Sequence, residues 1–231
     1  MPDLVPGIHA FFAWQNKTWM AGTSPAMTTL RFGCAVRRAM LIAMTALPKA
    51  RMNVDEYLAW AEGHPGRYEL YDGIVYAMSP EGAGHAKVKF AVQTAIATGI
   101  LAAEIRARGL PCHMLPDGMT VRVEARTAFE PDALVYCGSK VAPSSVEIPN
   151  PVILVEVLSP STRHIDASKK LAGYFRLPSV AHYLIVDPTE PLILHHTRGT
   201  DDTILTHIVR EGAIKLDPPG LELKLAEVYG G

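Results

Sequence analysis

Residues 151–175 read PVILVEVLSPSTRHIDASKKLAGYF, and this stretch decides the fold. It opens with a continuous apolar run, Val152 to Leu158, interrupted by one carboxylate, Glu156. A proline-led run of this length, rich in β-branched residues, predicts a strand covered on both faces. An ionised carboxylate inside such a strand is costly unless a cation or several donors meet it. Ser159-Pro160-Ser161-Thr162 breaks the strand. The spacing beyond it predicts a helix over about 166–176, with Asp166, Lys170 and Tyr174 on one face. A divalent metal is the most economical partner for Glu156.

Working outward, AHYLIVDP (181–188) reads as a buried strand. LILHHTRG (192–199) and TILTHIVREGAIKL (203–216) read as a closing antiparallel meander. On the other side, NVDEYLAWAEGH (53–64) places Val54, Tyr57, Leu58 and Ala61 at helical spacing, with Asn53 as N-cap and Glu56 three residues on. RYELYDGIVYAMSP (67–80) alternates around Asp72-Gly73, a strong hairpin signal. A long amphipathic helix follows from about His85 to Arg108, stopped by Gly109. CHMLPDGMTVRVEA (112–125) predicts two short strands around Pro-Asp-Gly, and AFEPDALVYC (128–137) one more. Helices alternating with strands in this order predict an α/β (α+β mixed) architecture, a mixed sheet flanked by helices.

The chain has 231 residues, 48% hydrophobic and 19% charged, with a mean hydropathy of +0.12, enough for one full-sized core. Cys34, Cys112 and Cys137 show no CxxC spacing and read as small buried hydrophobes or ordinary thiols, which fits a reducing cytoplasm. A net charge of −1 gives no global basic field, so any attraction to nucleic acid is local. No stretch reaches the roughly 18 apolar residues of a membrane span. Residues 1–43 lack periodicity and hold two of the three tryptophans, with Asp3 as their only acidic residue. We expect them to be a disordered or mis-assigned extension, with the true start at Met40, Met44 or Met52 and a single domain over 44–231.

Four charged positions interrupt apolar patterns: Glu69 in the hairpin, Asp132 after Pro131, Glu156, and Lys170 one helix onward. Two carboxylates at neighbouring strand ends, with a lysine, suit hydrolysis of a phosphodiester. Carboxylates hold Mg²⁺, which acidifies a bound water and neutralises charge on phosphorus. A lysine orients that water or stabilises phosphate as a point charge. The bland alternatives are a turn residue at Asp132, a solvent-facing Glu69, and an ordinary exposed helix pair of Asp166 with Lys170. Glu156, flanked by aliphatic residues, resists such a reading. His195 and His196 alternate across a strand and cannot clamp one ion together, while His113, His182 and His207 have no ligand spacing.

RYELYDG, EPDALVYC, PVILVEVLSPSTR, Asp166 with Lys170 and Tyr174, and HYLIVDP together resemble the Uma2 (DUF820) family. Its members belong to the PD-(D/E)XK, restriction-endonuclease-like superfamily. The resemblance runs from about Met44 to Tyr229. It implies a central four-stranded mixed sheet with flanking helices, to which the N-terminal hairpin and the C-terminal antiparallel strands are additions. It also implies an Mg²⁺-dependent endonuclease acting on DNA, with Mn²⁺ as a substitute. Asp132 and Glu156 would be metal ligands and Glu69, matching the family's E-L-x-D-G glutamate, a third. Leu158 stands where the superfamily has lysine, and Lys170 occupies the position of a migrated one. His85 matches a recurrent family histidine, either a base or a helix-start residue. Lys87, Arg163 and Lys169 are candidate DNA contacts, beside Lys89, Arg122 and Arg126. Superfamily members that cut both strands often pair, so two copies acting together are part of the expectation. Two alternatives stay open: a silent nuclease-like binding scaffold, and a metal-dependent hydrolase of a small phosphorylated molecule.

Overall fold

The computed structural model describes residues 47–101, 111–159, 167–201 and 203–230. In chain order these form α1 (Val54–Glu62), β1 (Tyr68–Tyr71), β2 (Ile74–Ala77), α2 (Ala83–Leu101), β3 (Cys112–Pro116), β4 (Val121–Glu124), β5 (Thr127–Phe129) and β6 (Ala133–Cys137). There follow β7 (Pro151–Val157), α3 (Ala167–Tyr174), β8 (His182–Val186), β9 (Ile193–Arg198), β10 (Ile204–Val209), β11 (Ala213–Leu216), β12 (Leu221–Lys224) and α4 (Leu225–Tyr229).

Local signals account for the first of these. The Asn53 side chain accepts from the Glu56 N–H at 2.9 Å, and Glu56 Oε2 accepts from the Asn53 N–H at 2.8 Å, closing a reciprocal cap on α1. Asp72 (φ 47°) and Gly73 (φ 77°) turn β1 into β2 through two left-handed residues, whose twist matches that of the strands. β1 pairs on its other edge with β5, giving a small antiparallel sheet in the order β2-β1-β5-β4. α1 closes it over Val54, Tyr57, Leu70 and Val75.

The larger sheet runs β10-β9-β8-β7-β6-β3, antiparallel except for the parallel pair β7–β8. A parallel neighbour requires a crossover, and α3 lies on that connection. Alternation then sorts the two faces of β7. Ile153, Val155 and Val157 pack with Val88, Val92 and Ile96 of α2, with the β11–β12 hairpin and with α4. Leu154 turns the other way, toward Phe129, Tyr174 and Val123. Glu156 shares the face of Leu154 and meets the layer formed by α3 and the small sheet.

Several expectations change. The mixed sheet of β3, β6, β7 and β8 has the four strands expected, and the C-terminal β9 and β10 extend it to six. AFEPDALVYC is two strands, because Pro131 supplies no N–H and the chain crosses there from the small sheet to the large one. The closing meander divides: β9 and β10 extend the main sheet, while β11 and β12 form a separate hairpin followed by the unforeseen α4. Cys112 and Cys137 are not free thiols. They face each other in the β3–β6 register, with Cα atoms 4.0 Å apart, and are joined by a disulfide. The expected helical residues beyond 101, Asp166, and the extension 1–43 lie outside the described residues.

Candidate active site

Asp132 and Glu156 meet through strand register. Ala133 pairs with Val155, and the Asp132 N–H donates to the Val155 carbonyl at 2.9 Å, so Asp132 stands opposite Glu156 on the same face. The Val157 N–H fixes Asp132 Oδ2 at 2.7 Å. α3 supplies the counter-charge: Lys170 Nζ donates to Glu156 Oε1 at 2.9 Å and to Glu69 Oε1 at 2.8 Å. One turn on, the Tyr174 hydroxyl donates to the same Glu156 oxygen at 2.8 Å. Glu69 reaches the cluster from β1 and is held by the Glu130 N–H at 3.1 Å. Asp132, Glu156, Lys170 and Glu69 are all buried.

Burial raises Asp132 against the opposing pull of the Val157 N–H, His85, Lys89 and Lys170. Glu156 is pushed up to about 7 by burial and by the charges of Glu69 and Asp132, with Lys170 opposing. Burial disfavours the Lys170 ammonium, but Glu156 and Glu69 more than offset this, and its pKa rises. The lysine is therefore a fixed positive charge, and the carboxylates around it are under-neutralised.

A second layer borders the first. Lys89 Nζ donates to Asp117 Oδ2 at 2.8 Å and to Glu81 Oε1. Arg67 reaches Glu130, Glu81 and Asp117 at 2.8, 3.0 and 2.9 Å. Across both layers six carboxylates (Glu69, Glu81, Asp117, Glu130, Asp132, Glu156) share three permanent cations (Arg67, Lys89, Lys170). Such an excess of oxygen donors suits a hard divalent cation. An open cleft of about 470 Å³ lies over Arg67, Glu81, Lys89 and Asp117.

His85 opens α2 at the same place. Its Nε2 donates to the Val157 carbonyl at 3.0 Å and lies 3.8 Å from Asp132 Oδ2. Of the candidate DNA contacts, Lys87 is exposed, about 200° around α2 from His85. Lys169 is exposed with Nζ 4.8 Å over the Tyr71 ring, and Arg163 lies outside the described residues. Arg122 is engaged elsewhere, with Glu147 and Asp55. Glu81, Asp117, Glu130 and Arg67 escaped the sequence reading. Glu81 stands four residues before His85 and eight before Lys89, a helical spacing that marks it in retrospect, whereas Asp117 looked like ordinary turn chemistry.

The histidines also regroup. His182 Nδ1 and His195 Nε2 lie 3.0 Å apart, and the His207 ring centroid is 6.0 Å from that of His195. His196 points to the other face, as alternation requires, and meets Thr206.

Residues 54–226 match the Uma2 model, described as "Putative restriction endonuclease". An uncharacterised Synechocystis sp. protein, slr1290, is 25% identical over 194 residues, 83% of this chain and 98% of that protein. A second one, sll1609, is 24% identical over 177 residues, 75% and 94% of the two chains. Among solved structures, one titled a putative nuclease belonging to DUF820 from Anabaena variabilis superposes with a TM-score of 0.59 at 13% identity, covering 78% of this chain and 98% of that one. At that identity the likeness is one of fold.

Proposed function

The chain belongs to the Uma2 family, and on that premise we propose that it is a Mg²⁺-dependent endonuclease hydrolysing DNA phosphodiester bonds. The observation that carries this is the cluster itself. Asp132 and Glu156 come from adjacent strands and Glu69 from a second sheet, and Glu156 and Glu69 share one buried lysine. A fold that only needed stability would gain more from apolar residues at these positions, since buried ion pairs rarely exceed their desolvation cost.

Asp132, Glu156 and Glu69 would hold the metal, with Mn²⁺ as a substitute. A metal held by these carboxylates would supply an acidified water ligand and screening of the charge on the phosphate. The chain's own groups do the positioning. The Val157 N–H orients Asp132, and Tyr174 and Lys170 orient Glu156. Lys170 also ties Glu69 to Glu156, so that the two sheets present their carboxylates together. Two of its three N–H groups are spent on those partners; the third is the one to meet a phosphate oxygen. This gives the migrated lysine its role although it arises from α3 rather than from β7. His85, bonded to the Val157 carbonyl, acts as a positioning residue that anchors α2 at the end of β7.

The open cleft favours a polymer over a small enclosed phosphate ester. Arg67 and Lys89 line it but are already paired with Glu81, Asp117 and Glu130, so attraction of phosphate there would depend on the bound metal. Two copies would pair along the free edge of β10, whose residues 204–209, ILTHIV, are uncharged and largely exposed. Light scattering that reads a monomer at micromolar concentration removes this part. The test of the main reading is cleavage of end-labelled duplex and single-stranded DNA, with RNA alongside. We expect Mg²⁺-dependent cutting of DNA that EDTA abolishes. Thermal melts complete it: Mg²⁺ should raise the melting temperature of the wild type and not that of Glu156→Gln. A folded protein that neither cuts nor responds to metal returns the reading to a silent scaffold.

A further inference from the structure

We propose that Lys169 and Arg126, on the small-sheet side of the site, bind the phosphate backbone of the nucleic-acid strand whose scissile phosphate lies at Lys170. The proposal rests on the nuclease reading for that last placement; the attraction itself needs no metal.

The argument starts from which cations are already neutralised. Arg67, Lys89 and Lys170 are all bonded to carboxylates. Lys169 and Arg126 are exposed, and neither has a carboxylate at ion-pair distance among the described residues. Neutral groups hold them instead. Lys169 Nζ lies 4.8 Å over the Tyr71 ring, a contact that orients an ammonium without cancelling its charge. Arg126 packs against Gly73, where a Cβ would stand 3.1 Å from both Nε and Nη2. The Gly73 N–H donates to the Arg126 carbonyl at 2.7 Å, which ties the β1–β2 turn to the β4–β5 turn. The carboxylates of these turns, Asp72 and Glu124, are bonded by Arg51 and Arg176.

Placement is the second observation. Alternation along β1 puts Tyr71 on the face of Glu69, two residues nearer the turn. Tyr71 stacks with Phe129, their ring centroids 6.3 Å apart. Lys170 Nζ lies 5.6 Å from the Phe129 centroid, so consecutive lysines of α3 stand over neighbouring rings. Lys170 is the buried member and Lys169 the exposed one. Arg126 follows at Gly73, two residues beyond Tyr71. Positive groups thus run from the buried site to the surface along one side. A sugar-phosphate backbone is a repeating row of anions and fits such a row. The guanidinium fork of Arg126 suits a phosphate at its outer end.

The test is fluorescence anisotropy of a labelled oligonucleotide, single-stranded and duplex, bound to the full chain in EDTA across a salt series. Lys169→Ala combined with Arg126→Ala should weaken binding about tenfold at low salt. The slope of log affinity against log salt should fall by about 1.4 on the single strand and about 1.8 on the duplex, two phosphate contacts being lost. Lys169→Arg combined with Arg126→Lys, which keeps both charges, should retain the slope. Lys215→Ala combined with Lys224→Ala, on the β11–β12 hairpin, removes the same charge elsewhere and should change neither quantity. An unchanged slope in the first double variant, an equal loss in the hairpin variant, or displacement of the oligonucleotide by equimolar poly-glutamate overturns the proposal. The two readings fail separately. A strand bound with these slopes but never cut in Mg²⁺ fails the nuclease reading alone, whereas cutting by a protein whose binding ignores Lys169 and Arg126 fails this one.

Discussion

Glu156 accepts from two donors, yet two further carboxylates face it, and its pKa stands at about 7 against an ordinary 4.5. The folded chain therefore holds a proton there that the unfolded chain has lost, and ionisation costs the fold stability. The sign follows from linkage: this contribution is present below about pH 4.5 and is lost as pH rises to about 7, by at most about 3 kcal/mol. Without metal, Glu156→Gln should melt higher than the wild type at pH 8 and no higher at pH 4, as scanning calorimetry would read. A wild type at least as stable as the variant at pH 8 would contradict a strained carboxylate. Lys170 bears the opposite load. Lys170→Met leaves Glu69 and Glu156 unopposed and should cost about 3–5 kcal/mol in urea melts at pH 8. That cost should shrink toward pH 5 as a proton takes the place of the lysine. At this scale Asp132, Glu156 and Lys170 were legible in the sequence because each breaks an apolar pattern or sits at a helical interval from one. Arg67, Glu81 and Asp117 were not, because they occupy turns and strand starts where charge is ordinary; only the packing of α2 against β6 and β7 gives them a common purpose.

Between elements, the approach of α3 to the small sheet sets the site. A Cβ on Gly173 would meet Phe129 Cε2 at 2.9 Å and Val123 Cγ1 at 3.4 Å, and Phe129 is 1% exposed. Gly173→Ala gains up to about 1 kcal/mol in helix propensity and loses about 1–3 kcal/mol to overpacking. We expect net destabilisation, because an aromatic ring enclosed on all sides cannot retreat. The variant should also lose DNA cleavage, since Lys170 and Tyr174 lie on the same helix; a more stable, fully active Gly173→Ala would refute the close docking. Strands β8 and β9 carry a different liability. Burial, with the nearby charges of His182, His207 and His196, lowers His195 to about 4. The unfolded chain binds that proton first, so stability is lost as pH falls from about 6.5 to about 4. His195→Leu should flatten the acid limb of the melting-temperature profile, and a parallel profile would argue against it. This pair was hidden from the sequence because residues 13 apart carry no ligand spacing until a strand register joins them. The disulfide was hidden for the same reason, its cysteines 25 residues apart. By contrast, the cap of α1, the Asp72-Gly73 turn and the course of β7 rest on local chemistry and were readable directly.

Across the whole molecule, charge is arranged rather than abundant. In a chain of net charge −1, six carboxylates and three permanent cations among the described residues gather at one end of the main sheet. The order of helices and strands was legible because periodicity survives without tertiary context. Which of the C-terminal strands join the main sheet was not, because a strand's neighbours are set by register and crossovers rather than by its own residues. No described helix is long and apolar enough to cross a membrane. The central claim is that Asp132, Glu156 and Lys170 act together on a phosphodiester. Its most direct test is conversion of supercoiled plasmid to nicked circle by the full chain with Mg²⁺ or EDTA, beside Asp132→Asn, Glu156→Gln and Lys170→Arg, each first shown folded by circular dichroism. We predict Mg²⁺-dependent nicking by the wild type that falls at least a hundredfold in all three variants. Nicking that persists in EDTA, or that survives in Glu156→Gln, would contradict it.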